Sequence, residues 1–294
     1  MAFVGKRGWF TSGYIERNPF NFGYINDQEP THPRVVNPSN PNITPGNLTS
    51  PYFNQNLSLI DVASDGKWIY VAQAGHFVAP SSYVTAFDVT ADDPHQAVPA
   101  VFGSGTTLTE TTCSIFPQGN CGANPNGVSW VNTSLSVIDV EATISKVGSN
   151  YVTPQRPPTG IAVQRDGNVL AVAHGDYRAN GTSYSPNEIR LFDKRSGNQL
   201  GSTITTIANP TQMAFTSRGL WAVSGGKLYL ISDVGGANTL SQPIQGLVYP
   251  VSVASNRMTN HLFVLDGGSS QQLKEFDADD MLVSTYGVAG VSGL

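Results

Sequence analysis

Three observations in the 294-residue sequence predict an all-β fold built from repeated four-stranded antiparallel sheets. A short apolar phrase ending in Asp recurs five times. Alternating strands joined by tight turns precede four of the five copies. No stretch carries the 3.6-residue periodicity of an amphipathic helix.

The phrase reads VTAFD ending at Asp88, LSVID at Asp139, IRLFD at Asp193, LYLISD at Asp233 and LKEFD at Asp277. The spacings are 51, 54, 40 and 44 residues, close to the ~40–50 residues of one four-stranded propeller blade. Upstream of it lie LSLIDVASDGKWIYVAQAG (57–75), PTGIAVQRDGNVLAVAHG (158–175), PTQMAFTSRGLWAVSGG (210–226) and PVSVASNRMTNHLFVLDGG (250–268). Alternating β-branched and aromatic residues mark two strands in each, because successive side chains point to opposite faces. Asp65-Gly66 and Asp166-Gly167 are expected to supply the positive φ of tight hairpins. The Asp phrase is the third strand. A fourth follows at 97–103, 141–147, 201–207, 241–247 and 281–287. The second copy is the weakest, since its first two strands must lie within 107–132, across the loop that holds Cys113 and Cys121. Radial repetition of such units protects sheet edges. The expected architecture is therefore a β-propeller of five to six four-stranded blades with an N-terminal extended arm. A two-sheet sandwich would leave the repeated phrase unexplained.

The strings GIAVQRDGNVLAVAHG with IRLFD, and SVASNRMTNHLFVLDGG with LKEFDADDMLVSTYG, resemble NHL and YVTN repeats. TSLSVIDVEA is similar to the third strand of the YVTN type. The resemblance covers residues 57–288 and implies a propeller. It implies little about activity, because propellers host unrelated functions.

Two regions are expected. Residues 1–50 contain strands at 8–15 and 20–25, then a Pro/Asn-rich stretch from Gln28 to Pro51. Proline cannot donate to a sheet ladder, so that stretch reads as an arm or loop. The N-terminal strands would close the ring, add a partial blade or dock on a neighbour. Residues 51–294 carry the propeller repeats.

Composition narrows the partners. Lys and Arg total 16 against 21 Asp and Glu, a net charge of −5. That balance offers no basic face for nucleic acid. No apolar run reaches the ~18–20 residues of a membrane helix, and MAFVGKRGWF lacks the apolar stretch of a secretory signal. Charged residues make up only 13%, and Asn, Ser, Thr and Gly abound. With Trp9, Phe10, Phe20 and Tyr24 near an extended arm, this composition suggests a subunit of an exposed assembly, such as a virion or extracellular appendage. Other protein subunits, docked through residues 1–50, are the expected partners. Cys113 and Cys121 are candidates for a local disulfide, and their spacing is not that of a zinc site.

Propeller sites form where inner strands and their loops converge. The second strands end on Gln73, His174, Ser224 and Asp266, with Gly75, Gly175, Gly225 and Gly267 within two residues. In register, these four side chains would ring one face, with His76, Asp176 and Lys227 nearby, and could take a polar ligand or Ca2+. The competing expectation is that they bond loop amides at the strand ends. Calcium-dependent sugar lactonases share the scaffold but need a Glu, two Asn and an Asp from inner strands. Only Glu16 lies near the expected place, and no nucleophile motif such as GxSxG occurs. A non-catalytic interaction or structural module is the first expectation. A metal-assisted lactonase-like hydrolase and a carbohydrate-binding propeller are the alternatives. For the latter, Trp68, Trp130 and Trp221 are candidate sugar platforms, although Trp68 and Trp221 lie in second strands, where packing between blades is expected.

Overall fold

A computed structural model describes the backbone of residues 57–75, 82–90, 98–104, 106–109, 134–140, 156–179 and 182–290, and the strand pairing of four segments within 2–35. Every assigned element among them is a strand, and no helix is long and apolar enough to cross a membrane. The chain divides into two compact units: Met1–Pro158 with Arg178–Ser183 and Lys194–Asn198, and Thr159–Tyr177 with Tyr184–Asp193 and Gln199–Leu294.

In the first unit, β1 (Ala2–Val4), β2 (Arg7–Ser12), β3 (Asn21–Asn26) and β4 (Glu29–Val35) pair in sequence order as an antiparallel sheet. Residues 29–35, expected to be part of an arm, are thus a strand. Its Pro30 and Pro33 are tolerated because β4 is an edge strand. The rest of the expected arm lies outside the described residues. β5 (Leu57–Ser64), β6 (Trp68–Gly75) and β7 (Tyr83–Asp88) form the first repeat as expected, and Gly66 turns the β5–β6 hairpin at φ +94°.

The second repeat does not form a sheet of its own among the described residues. β8 (Val98–Pro99), β9 (Thr106–Thr109) and β10 (Ser134–Asp139) complete a six-stranded sheet, with β8 and β10 both on the outer edge of β7. The reason is local. The expected fourth strand at 97–103 yields only two paired residues, one of them Pro99, so most of the β7 edge stays free to take β10.

The second unit contains three successive sheets. The first joins β11 (Gly160–Val163), β12 (Val169–His174) and β15 (Glu188–Asp193). A side hairpin, β13 (Tyr177–Ala179) and β14 (Thr182–Tyr184), was not expected from the sequence. The fourth strand of this repeat shrinks to isolated bridges at Ile189–Ile204 and Phe192–Gln199. Gly167 does not take a positive φ here. Instead the Gln164 and Val169 backbones pair, and the Val169 amide also donates to Gln164 Oε1.

The next two sheets are complete meanders: β16 (Pro210–Thr216), β17 (Gly219–Ser224), β18 (Lys227–Ser232), β19 (Thr239–Ser241); then β20 (Pro250–Asn256), β21 (His261–Asp266), β22 (Gln272–Phe276), β23 (Leu282–Tyr286). Alternation places Met213, Leu220 and Ile231 against Ala171, Ile189 and Leu191 of the preceding sheet. The opposite face, with Trp221, Val223 and Leu230, packs on Val253, Leu262 and Val264 of the following one. The middle sheet is therefore apolar on both faces, as a stacked blade must be.

The recurrent Asp has a physical role. Asp88 accepts from the Thr90 amide at 3.0 Å, Asp277 from the Asp279 and Met281 amides at 2.9 Å, and Asp233 from the Ala237 amide at 2.6 Å. Each caps the turn after the third strand, an Asx interaction that compensates backbone donors leaving the ladder.

Candidate functional site

His174, Ser224 and Asp266 are the last residues of β12, β17 and β21, while Gln73 stands two residues before the end of β6. The side chain of Gln73, together with His76, Glu16, Trp130, Cys113 and Cys121, lies outside the described residues. His174, Ser224 and Asp266 are all buried in the second unit, and Ser224 and Asp266 each bond within their own neighbourhood.

Asp266 is fully buried. It accepts from the Val248 and Tyr249 amides at 2.9 and 2.8 Å and from Lys274 Nζ at 2.7 Å. Lys274 Nζ donates on to the Gly246 carbonyl at 3.2 Å. Burial works to raise the Asp266 carboxyl; Lys274, the two amides and Ser270 outweigh it and hold the carboxyl below its ordinary value. Ser224 Oγ donates to the Ala208 carbonyl. Both residues thus fasten the loop that leads into the first strand of their own sheet.

Around His174 the tie is made by neighbours. Thr159 Oγ1 accepts from the Gly175 amide at 2.9 Å and donates to the Pro210 carbonyl at 2.7 Å, while Asn209 Oδ1 accepts from the Asp176 amide at 2.7 Å. A Cβ at Gly175 would lie 2.4 Å from the Pro210 oxygen, which explains the glycine after this strand. The loop-amide expectation describes Asp266 directly and Ser224 in mirrored polarity, through a carbonyl. Among the described residues no group of three His, Cys, Asp or Glu side chains could hold a metal ion.

The densest polar cluster was not foreseen. It centres on Asp65, in the first unit, whose side chain is 1% exposed. Oδ1 accepts from the Lys67 and Trp68 amides at 3.0 and 2.8 Å, closing the β5–β6 turn. Oδ2 faces Arg195 Nη2 at 2.8 Å and Lys194 Nζ at 3.3 Å. The Tyr70 hydroxyl lies 3.2 Å from Oδ2 and accepts from Arg195 Nη1 at 3.3 Å. The Arg195 guanidinium stacks 3.9 Å from the Trp68 ring centroid, and Phe102 meets the same indole edge-on at 6.0 Å. Burial works to raise the Asp65 carboxyl, but the two amides and the two cations prevail and lower it. Its only sequence signal was the Lys-Arg pair directly after an Asp phrase, in a chain poor in charge.

Asp65 and Asp266 are therefore ionised at neutral pH, desolvated and committed to internal donors. Such carboxylates fasten structure; they are poorly placed to exchange protons with a substrate. Two of the three candidate sugar platforms, Trp221 and Trp68, are also occupied. Trp221 is buried with Nε1 donating to Thr216 Oγ1 at 3.0 Å, and Trp68 is covered by Arg195. Asp280, in the turn between β22 and β23, pairs with Arg218.

No known family matches the chain, and no curated protein does. Solved structures do. "Structure of U3-55K" matches at TM-score 0.45 and 12% identity over 81% of this chain and 54% of that one. "Crystal structure of RRP9 WD40 repeats" matches at 0.45 and 12%, over 79% and 52%. "Crystal structure of TolB from Acinetobacter baumannii" matches at 0.46 and 10%, over 90% and 48%. The chain spans about half the length of each of these structures.

Proposed function

We propose that the chain is a non-catalytic β-propeller module of the NHL/YVTN type, acting in protein interaction or as a structural subunit. Three successive antiparallel sheets, stacked through both apolar faces of the middle one, support the propeller. The observation that carries the functional reading is the state of Asp266. The one carboxylate of the predicted ring has its oxygens engaged by two backbone amides and Lys274. A lactonase would need such a carboxylate free to converge on a cation. The polar, weakly charged surface suits a subunit of an exposed assembly, with a virion or extracellular appendage as the proposed setting and other protein subunits as partners.

The test is turnover. The purified full chain, offered a panel of lactones and esters with added Ca2+, is expected to match the buffer rate. Saturable hydrolysis that disappears in Asp266→Asn would replace this reading with the hydrolase.

A further inference from the structure

We propose that Asp166-Gly167, in the β11–β12 turn, is a modification site at which the folded chain converts aspartate to isoaspartate, while the fold protects the other two Asp-Gly pairs of the sequence.

The reaction joins two adjacent residues. The Gly167 nitrogen bonds to Asp166 Cγ, the Cγ–OH bond breaks, and the hydroxyl leaves as water with the amide proton. Water then cleaves the bond between that nitrogen and the Asp166 α-carbonyl. The main chain now runs through Cβ and Cγ, and the α-carboxylate becomes a branch. One water leaves and one enters, so neither oxidant nor cofactor is needed. The carboxyl must be free to turn onto the next nitrogen, and that nitrogen must be free to receive it.

Three Asp-Gly pairs occur, at 65–66, 166–167 and 266–267. Two of them are locked at both reacting groups. Asp65 accepts from the Lys67 and Trp68 amides and pairs with Lys194 and Arg195, and the Gly66 amide donates to Ser64 Oγ at 2.9 Å. Asp266 accepts from the Val248 and Tyr249 amides and from Lys274, and the Gly267 amide donates to the Tyr249 carbonyl at 2.9 Å. Both carboxyls are also held below their ordinary value, which shrinks the fraction with a hydroxyl to lose.

The middle pair differs on each count. Asp166 is exposed in the turn 165–168. Among the described residues, neither its carboxylate nor the Gly167 amide has a hydrogen-bond partner. The bonds that close the hairpin lie outside the pair, between Gln164 and Val169. Gln164 Oε1, which accepts from the Val169 amide at 3.3 Å, stands where a Cβ at 167 would go. The hairpin therefore calls for glycine, the residue that shields its own nitrogen least.

The full chain, incubated at neutral pH below its melting transition and in parallel in urea, tests this. Electron-transfer fragmentation of its peptides locates isoaspartate, and an isoaspartate carboxyl methyltransferase with labelled S-adenosylmethionine marks the new α-carboxylate. In the native chain, isoaspartate should form at least about tenfold faster at Asp166 than at Asp65 or Asp266, because those two must first give up hydrogen bonds to charged groups. In urea the three rates should converge. Asp166→Glu, whose ring would be one atom larger, should lose the signal at 166 with an unchanged melting temperature. Asn126-Gly127 and Asn180-Gly181 lie outside the described residues, and their conversion gains mass through deamidation, so the peptide map separates them. Absence of isoaspartate at Asp166 in the native chain, or native rates at Asp65 or Asp266 equal to that at Asp166, overturns the proposal.

Discussion

Asp65→Ala should destabilise the first unit by about 3–5 kcal/mol, the range for removing one partner of a buried ion pair. The loss is large because three donors are stranded together. Lys194 stays buried without its counter-ion, and the Lys67 and Trp68 amides lose the acceptor that shapes the β5–β6 turn. Urea unfolding followed by Trp fluorescence measures it as a shift of midpoint. Arg195→Ala should cost less, since Arg195 is 38% exposed and part of its work is stacking on Trp68. The effect has a pH signature. The Asp65 carboxyl is lowered on folding, so its contribution is full above the unfolded value of ~3.9 and is lost as pH falls through the folded value. Acid titration should therefore separate wild type from Asp65→Asn at neutral pH and bring them together in strong acid.

Trp221→Ala should cost about 3–5 kcal/mol in the second unit, through lost burial and the cavity it leaves. The indole is 1% exposed, sits between the β16–β19 and β20–β23 sheets, and donates to Thr216. Trp221→Phe should retain most of the packing and lose only the hydrogen bond and the volume difference. Denaturant midpoints of the three chains check the order. Equal losses for Phe and Ala would show that the sheets do not pack there as described.

The sheets were legible because their causes are local. Alternation at 210–216 and 219–224, and the Asp at 88, 233 and 277, act within a few residues of themselves. The second repeat was less legible, because the fate of LSVID depends on the free edge that a two-residue β8 leaves on β7. Pro30 and Pro33 misdirected the N-terminal expectation, since proline signals an edge as readily as a loop. The strand-end positions were found through the glycines that follow them, but their partners were not. The Val248 and Tyr249 amides are backbone, and Lys274 carries no pattern of its own. The Asp65 cluster was hidden for a related reason: its cations come from residues more than 100 positions away, and Asp65-Gly66 alone reads as a turn.

The most direct measurement is the melting temperature of wild type and Asp266→Asn, each with and without added Ca2+. If the strand-end carboxylate fastens its own loop through Lys274 and two amides, Asp266→Asn melts well below wild type and calcium moves neither curve. A saturable rise of the wild-type melting temperature with calcium, absent in Asp266→Asn, would contradict the account and make this position a cation ligand.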